Sequence, residues 1–295
     1  MSTWILLTVT GLGLGAMYFL IASGLSLIYG LMGVLNFAHG AFITVGAYAT
    51  WWCEGHVVSG IHSVPVRFLL AALLGLVVGG IFAALVELVL IRPLYNRHIE
   101  QVLVTVGLSL SFVALVQGIW GPDQQVYAVP GWLHETTTIA GAHIPNDRFV
   151  EIATAAAVLA LLQLFLKRTR YGLIVRAGVE NRAMVTALGI DVRKAFTLVF
   201  AVGGIAAAVA GVLSGVYFSA VSPDQGTSLL IFAFIVVVIG GLGSITGSAF
   251  AAVLVGLAQQ YVNYYASSGV GDMTVVLLLG IVLLVSPRGL AGAFA

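Results

Sequence analysis

Apolar residues run almost unbroken along this chain, and the polar residues that interrupt them fall in clusters. A spanning helix needs about 20 apolar residues. Runs near that length cover 4–29, 39–53, 66–90, 101–120, 150–166, 195–220, 228–240, 248–265 and 273–286. Three of them, 39–53, 228–240 and 273–286, are short for a crossing and are expected to be tilted, extended at their ends or re-entrant. The pattern predicts an all-α polytopic membrane protein, a bundle of eight or nine membrane segments forming one domain over 1–295. Two polar stretches stand between the runs. In 121–149, turn residues and a run of threonines predict a small cap, with strands near Val126–Val129 and Thr136–Ile139. In Lys167–Lys194, KRTRYGLIVRAGVENRAMVTALGIDVRK, stand seven of the chain's twelve Lys and Arg. Its middle reads as a short helix whose small apolar face is Val179, Ala183, Leu188 and Ile190. Gly189 stops that helix, and Asp191 can cap the next one.

Composition turns the pattern into a solvent. The chain is 60% hydrophobic and 8% charged, whereas soluble domains carry about 25% charge, so its surroundings are membrane lipid. The net charge of +1 gives no electrostatic ground for a nucleic-acid partner. Cys53 is the single cysteine, which leaves no intrachain disulfide and no cysteine metal site. The opening MSTWILL lacks a basic stretch, so the first apolar run is expected to stay as a span.

Charge also sets orientation, because cytoplasmic loops are rich in Lys and Arg. With Lys167–Lys194 inside, alternation brings Arg92, Arg97 and Arg288 inside as well and leaves Arg67 and Arg148 outside. The N-terminus and 121–149 are then outside and the C-terminus is cytoplasmic.

Two segments read as broken helices, GLMGVLNFAHGAF (Gly30–Phe42) and GGLGSITGSAF (Gly240–Phe250). Each follows an apolar run and concentrates glycine: Gly30, Gly33 and Gly40 in the first, Gly241, Gly243 and Gly247 in the second. These six are expected to allow close helix packing. A related pair of glycine-interrupted segments points to an internal repeat, and such breaks line the path in transporters. An ordinary tight turn between spans is the competing reading of each.

Polar groups at membrane depth are costly, which makes each a functional candidate. Asn36 and His39 sit in the first break, where they either satisfy freed backbone groups or line a path. Gln259 and Asn263 stand four apart on one helix face, facing either a polar conduit or a neighbouring helix. Glu87 is expected to snorkel or pair with Arg92. His56, His62, His134 and His143 have no ligand spacing, so no metal is expected. Neither Lys167 nor Lys194 stands in a P-loop. No nucleophile–base–orienter set appears, which argues against an intramembrane enzyme. The spans also lack the deep acidic relay of a proton-coupled carrier. These absences weaken secondary transport and leave a carrier powered from outside its own sequence as the expectation.

Two motifs then carry a family resemblance. GLSLIYGLMGVLNFAHGAF (Gly24–Phe42) and RAGVENRAMVTALGIDVRKAFTLVFAVGGIAAAVAGVLSG (Arg176–Gly215) resemble the permease subunits of branched-chain amino acid ABC transporters, the LivH type. SPRGLAG (Ser286–Gly292) and GGLGSITGSAFAA are similar to that family's C-terminal end and late glycine-rich break. The resemblance implies a bacterial inner-membrane permease translocating hydrophobic amino acids. It implies a second, LivM-type permease, two ATPase subunits that bind the ATP, and a periplasmic amino-acid-binding protein as partners, with no cofactor in this chain. Lys167–Lys194 would hold the coupling helix, and Glu180, Asn181, Ala183, Leu188 and Gly189 match the loop pattern that meets the ATPase. Urea and amide permeases are similar, but they usually carry an acidic residue where Ala41 stands here. The alternative is a self-sufficient, ion-coupled carrier or channel for small solutes such as urea or amides.

Overall fold

A computed structural model describes residues 2–33, 35–95, 97–189, 191–286 and 289–290, with the side chains of residues 31, 32, 179–183 and 186 left aside. Ten α-helices stand among the described residues: α1 (Ser2–Met32), α2 (His39–His56), α3 (Val64–Val86), α4 (His98–Trp120), α5 (Asn146–Arg168), α6 (Arg170–Ala187), α7 (Val192–Phe218), α8 (Gln225–Gly240), α9 (Ile245–Tyr265) and α10 (Val270–Val285). Each of the nine apolar runs lies in its own helix, and α6 is the tenth. Six helices are long and apolar enough to cross a membrane, namely α1, α3, α4, α5, α7 and α9; α8 and α10 are apolar but shorter. α3 continues through a π turn, Glu87–Ile91, and a 3-10 turn, Arg92–Leu94.

The single sheet among the described residues is a hairpin, β1 (Thr136–Ile139) with β2 (Ala142–Pro145) antiparallel, pairing Thr136 with Pro145. The strand expected at Thr136–Ile139 is present. Val126–Val129 is not a strand; Gln125 instead bridges Val221 through mutual backbone hydrogen bonds of 2.9 and 2.8 Å. Tyr127 plugs into the bundle, where burial and then nearby Glu54 push its phenol up. The phenol therefore stays protonated and donates to the Val212 carbonyl.

The bundle has two unlike ends. At the hairpin end, α1 begins beside β2 and α7 finishes beside Tyr127 and Val221, so α1 and α7 run in opposite senses. Arg67 and Arg148 are both here. Arg67 donates to Glu54 at 3.0 Å, and the other Glu54 oxygen accepts the Ala128 N–H at 2.9 Å. Arg148 lies within 3.6 Å of Asp147 and 3.3 Å of Glu151, and its guanidinium sits 3.5 Å over the Tyr217 ring. At the other, basic end are α6, the start of α7 and Arg92. Glu87 pairs there with Arg92, as expected, but it is fully buried and does not snorkel. Its carboxylate also accepts from Thr197 at 2.7 Å and from Tyr95.

Small residues let backbones touch. α1 lies along α9 because Gly11, Gly15 and Gly256 leave no side chain between them, and α1 crosses α7 where Gly24 meets Gly203. Five of the six nominated glycines make such contacts: Gly30 with Gly243, Gly40 with Gly226, Gly247 with Gly240, and Gly241 with Gly289. Gly33 does not, since nothing among the described residues lies within 4 Å of its Cβ position; glycine suits it because its φ is +66°. A third helix break, between Phe218 and Gln225, falls in the gap between the apolar runs 195–220 and 228–240. It turns on Ser219, which holds φ +58°.

Candidate functional site: a hairpin-end cavity and a basic-end helix

A cavity of about 500 Å³ opens among α1, α7, α8, α9 and α10, with Gln124 of the hairpin-end segment in its wall. One side is apolar, with Leu14, Met17, Leu229 and Phe232. The other is polar, with Gln259, Gln260, Asn263 and the carboxylates of Asp224 and Asp272; among the described residues the lining holds no Lys, Arg or His. The polar side is braced. Tyr18 donates to Gln259 Oε1 at 2.9 Å, and Gln259 Nε2 donates to Asp272 at 2.6 Å. These two bonds fix which way the amide faces. Asn263 accepts the N–H groups of Gly269 (3.2 Å) and Gly271 (2.9 Å), so it also caps the start of α10. Gln259 and Asn263 thus bind a neighbouring helix and also stand in the wall of this cavity.

Asn36 and His39 lie elsewhere. Asn36 Oδ1 accepts the Ala38 N–H at 3.1 Å, satisfying one backbone donor freed by the break. His39 is fully buried and its Nε2 meets the Ile21 carbonyl at 3.1 Å. A carbonyl only accepts, so Nε2 carries the proton and staples α2 to α1. His39 lines neither this cavity nor the small one that holds Asn36.

At the basic end, α6 is 18 residues long, longer than the short helix expected. Thr169 Oγ1 accepts the Gly172 N–H at 3.0 Å to start it. Gly189, at φ +79°, ends it. Asp191 then caps α7 by accepting the Arg193 N–H at 3.1 Å, as its position predicted. Val175 and Val185 bury α6 against the core, while Leu173, Met184 and Leu188 stand 61%, 61% and 69% exposed. Of the apolar face expected at Val179, Ala183, Leu188 and Ile190, only Leu188 is described, and it stands outward from the bundle. Ile190 lies outside the described residues, and so do the side chains of Val179, Ala183, Glu180 and Asn181. Leu188 is among the residues expected to meet the ATPase, and Leu173 joins it because the helix reaches back to Arg170. No group of three or more metal-ligating side chains occurs among the described residues.

The sequence that builds this geometry is similar to known proteins. Residues 7–286 match the family described as branched-chain amino acid transport system, permease component. The chain is 30% identical to the high-affinity branched-chain amino acid transport system permease protein LivH of Salmonella typhimurium, over 96% of this chain and 93% of that one. It is 31% identical to BraD of Pseudomonas aeruginosa, over 96% and 94%, and 25% identical to the permease protein LivM of Escherichia coli, over 89% and 66%. No solved structure gives a significant match. A match running through every membrane helix leaves one conclusion: the chain belongs to the branched-chain amino acid transport permease family, whose members are transport components and not enzymes.

Proposed function

We propose that this chain is an inner-membrane permease subunit of an ABC importer for hydrophobic, branched-chain amino acids, powered by two separate ATPase subunits. The observation that carries the reading is α6, a capped helix packed on the bundle by Val175 and Val185 while Leu173, Met184 and Leu188 face away. A helix held rigidly between two spans passes an ATPase's movement on as a rigid-body push. Thr197, on the first turns of α7, bonds to buried Glu87 of α3, so such a push reaches two spans at once. Glu180, Asn181, Ala183, Leu188 and Gly189 are assigned to the ATPase contact.

The hairpin end faces outside, since ten of the twelve Lys and Arg then lie on the cytoplasmic side. The cavity opens towards that face and receives cargo from a periplasmic binding protein. Its chemistry suits a zwitterion with an apolar side chain: Asp224 and Asp272 attract an ammonium group, while Leu14, Met17 and Phe232 accept the hydrocarbon. Gln259 and Asn263 hold the polar wall in place. A second permease of the LivM type completes the pathway, and this chain itself holds no ATP.

Two measurements test this. Gln259→Leu breaks the Tyr18–Gln259–Asp272 chain and is expected to cut ATP-driven leucine uptake at least fivefold at unchanged membrane yield; wild-type uptake would remove the cavity from the path. In a Cys53→Ala background, cysteines replacing Glu135, which is exposed, and Glu180 should react with an impermeant maleimide from opposite faces. Reaction from the same face would overturn the orientation.

A further inference from the structure

We infer that a groove at the basic end, between α3, α6 and α7, holds an anionic phospholipid, with its phosphate between Lys194 and Arg92 and one acyl chain lying along α3 and α7. The groove measures about 520 Å³. Its walls are Leu88 and Arg92 where α3 continues into its last turns, Tyr171 on the first turn of α6, and Lys194, Leu198 and Ala201 on α7. It shares no lining residue with the hairpin-end cavity, so the inference goes beyond the cargo path.

The rim of the groove is cationic. Among the described residues its lining holds Arg92 and Lys194 and no carboxylate. The Lys194 side chain is 78% exposed, and the Asp191 oxygen nearest its Nζ stands 3.8 Å away, too far for a hydrogen bond. Arg92 is held still, because its Nε and Nη2 donate to Glu87 and its Nη2 also donates to Thr197. Its Nη1 makes no hydrogen bond among the described residues. A fixed guanidinium with N–H groups to spare, beside a flexible ammonium, suits the oxygens of a phosphate. The half-exposed Tyr171 adds a hydroxyl donor. Glu87 offsets part of the Arg92 charge, but it is fully buried, and the stretch 167–194 sets seven Lys and Arg against Glu180 and Asp191 alone. The field over the groove is therefore positive.

Below the rim the groove is apolar. Leu88 and, deeper in the bilayer, Leu85 stand exposed on α3, and Leu198, Ala201 and exposed Ile205 continue the wall on α7. Helix α7 from Lys194 to Ile205 is about 16 Å long at 1.5 Å per residue, close to half of a hydrocarbon core of about 30 Å. The trough thus has the depth of one leaflet. A free phosphate would use the rim and leave this trough empty, whereas a phospholipid fills both. Basic pockets between membrane helices take anionic headgroups for the same reason.

The test uses the assembled transporter in nanodiscs that contain a trace of phosphatidylglycerol or of phosphatidylcholine, both with the same photoactivatable acyl chain. Peptides of this chain carrying Leu88 or Ala201 should take up the phosphatidylglycerol probe at least fivefold more than the other. Lys194→Gln should cut that excess at least threefold. Arg97→Gln removes a charge near the same end but outside the groove, and it should leave the excess unchanged. Ala201→Phe fills the trough beneath an unaltered rim and should lower labelling at Leu88 at least threefold. Equal labelling by the two probes, or wild-type labelling of Lys194→Gln, would overturn the site. Displacement of the probe by soluble glycerophosphoglycerol would make this a site for soluble anions. Labelling of the isolated chain that is lost in the transporter would make it a subunit contact. Either of these outcomes overturns the lipid assignment.

Discussion

Gly256→Leu should yield almost no monodisperse protein from detergent-solubilised membranes, at least a tenfold loss against wild type. A Cβ at residue 256 would come within 2.6 Å of Gly15 Cα, and the neighbouring atoms are the Gly15 amide nitrogen and the Gly11 carbonyl. These are backbone atoms, so no rotamer change relieves the clash, and α9 would have to part from α1 by the width of a side chain. Overpacking that side chains can absorb costs about 1–3 kcal/mol; a rigid backbone clash exceeds this range. α1 runs along α9 over most of its length, so the separation cannot stay local. Gly118→Leu is the control. It lies in α4 with nothing within 4 Å of its Cβ position, and it should purify at wild-type yield. Normal yield and thermal stability of Gly256→Leu would mean that α1 and α9 do not meet there.

Gly189→Val should abolish most ATP-driven uptake, tenfold or more, while the protein inserts and purifies normally. Among the described residues nothing lies within 4 Å of a Cβ at Gly189, so valine meets no obstacle from them. Its penalty is conformational: φ is +79°, a region costing an L-residue about 1–2 kcal/mol, with β-branched side chains the least tolerated. The turn relaxes, and α6 then leaves α7 at a different angle from the one set by Asp191. Gly189→Asn should retain most of the uptake, because asparagine tolerates this conformation. Measuring leucine uptake, membrane yield and ATPase rate for both variants separates coupling from folding. Wild-type uptake by Gly189→Val would show that the placement of α6 does not govern transport.

The helices were legible because lipid imposes one strong rule, that a spanning backbone must satisfy its own hydrogen bonds, which an unbroken apolar run of about 20 residues does as a helix. The nine apolar runs needed nothing else. The Asp191 cap and the Gly189 stop were legible for a local reason, since each acts on neighbours in sequence. The length of α6 was not, because Thr169 and the close approach of Gly172 to Phe165 and Leu166 start it directly after α5. Val126–Val129 has the alternation of a strand, but a tertiary pull wins: Tyr127 is drawn into the bundle and Gln125 pairs with distant Val221. The glycine-rich break at 240–250 was found by composition, whereas the break at Ser219 has a serine in the left-handed turn and gave no glycine signal. The cavity was half legible. The i,i+4 spacing put Gln259 and Asn263 on one face, but Asp224, Asp272 and Tyr18 join them only through the fold.

The most direct test of the account is leucine uptake into proteoliposomes, with this chain purified alone and in complex with a second permease, two P-loop ATPases and the binding protein. The account predicts no flux from the chain alone, and ATP-dependent uptake by the complex that the Gly189→Val variant loses. Solute flux through the chain alone, driven by an ion gradient and indifferent to ATP, would contradict it.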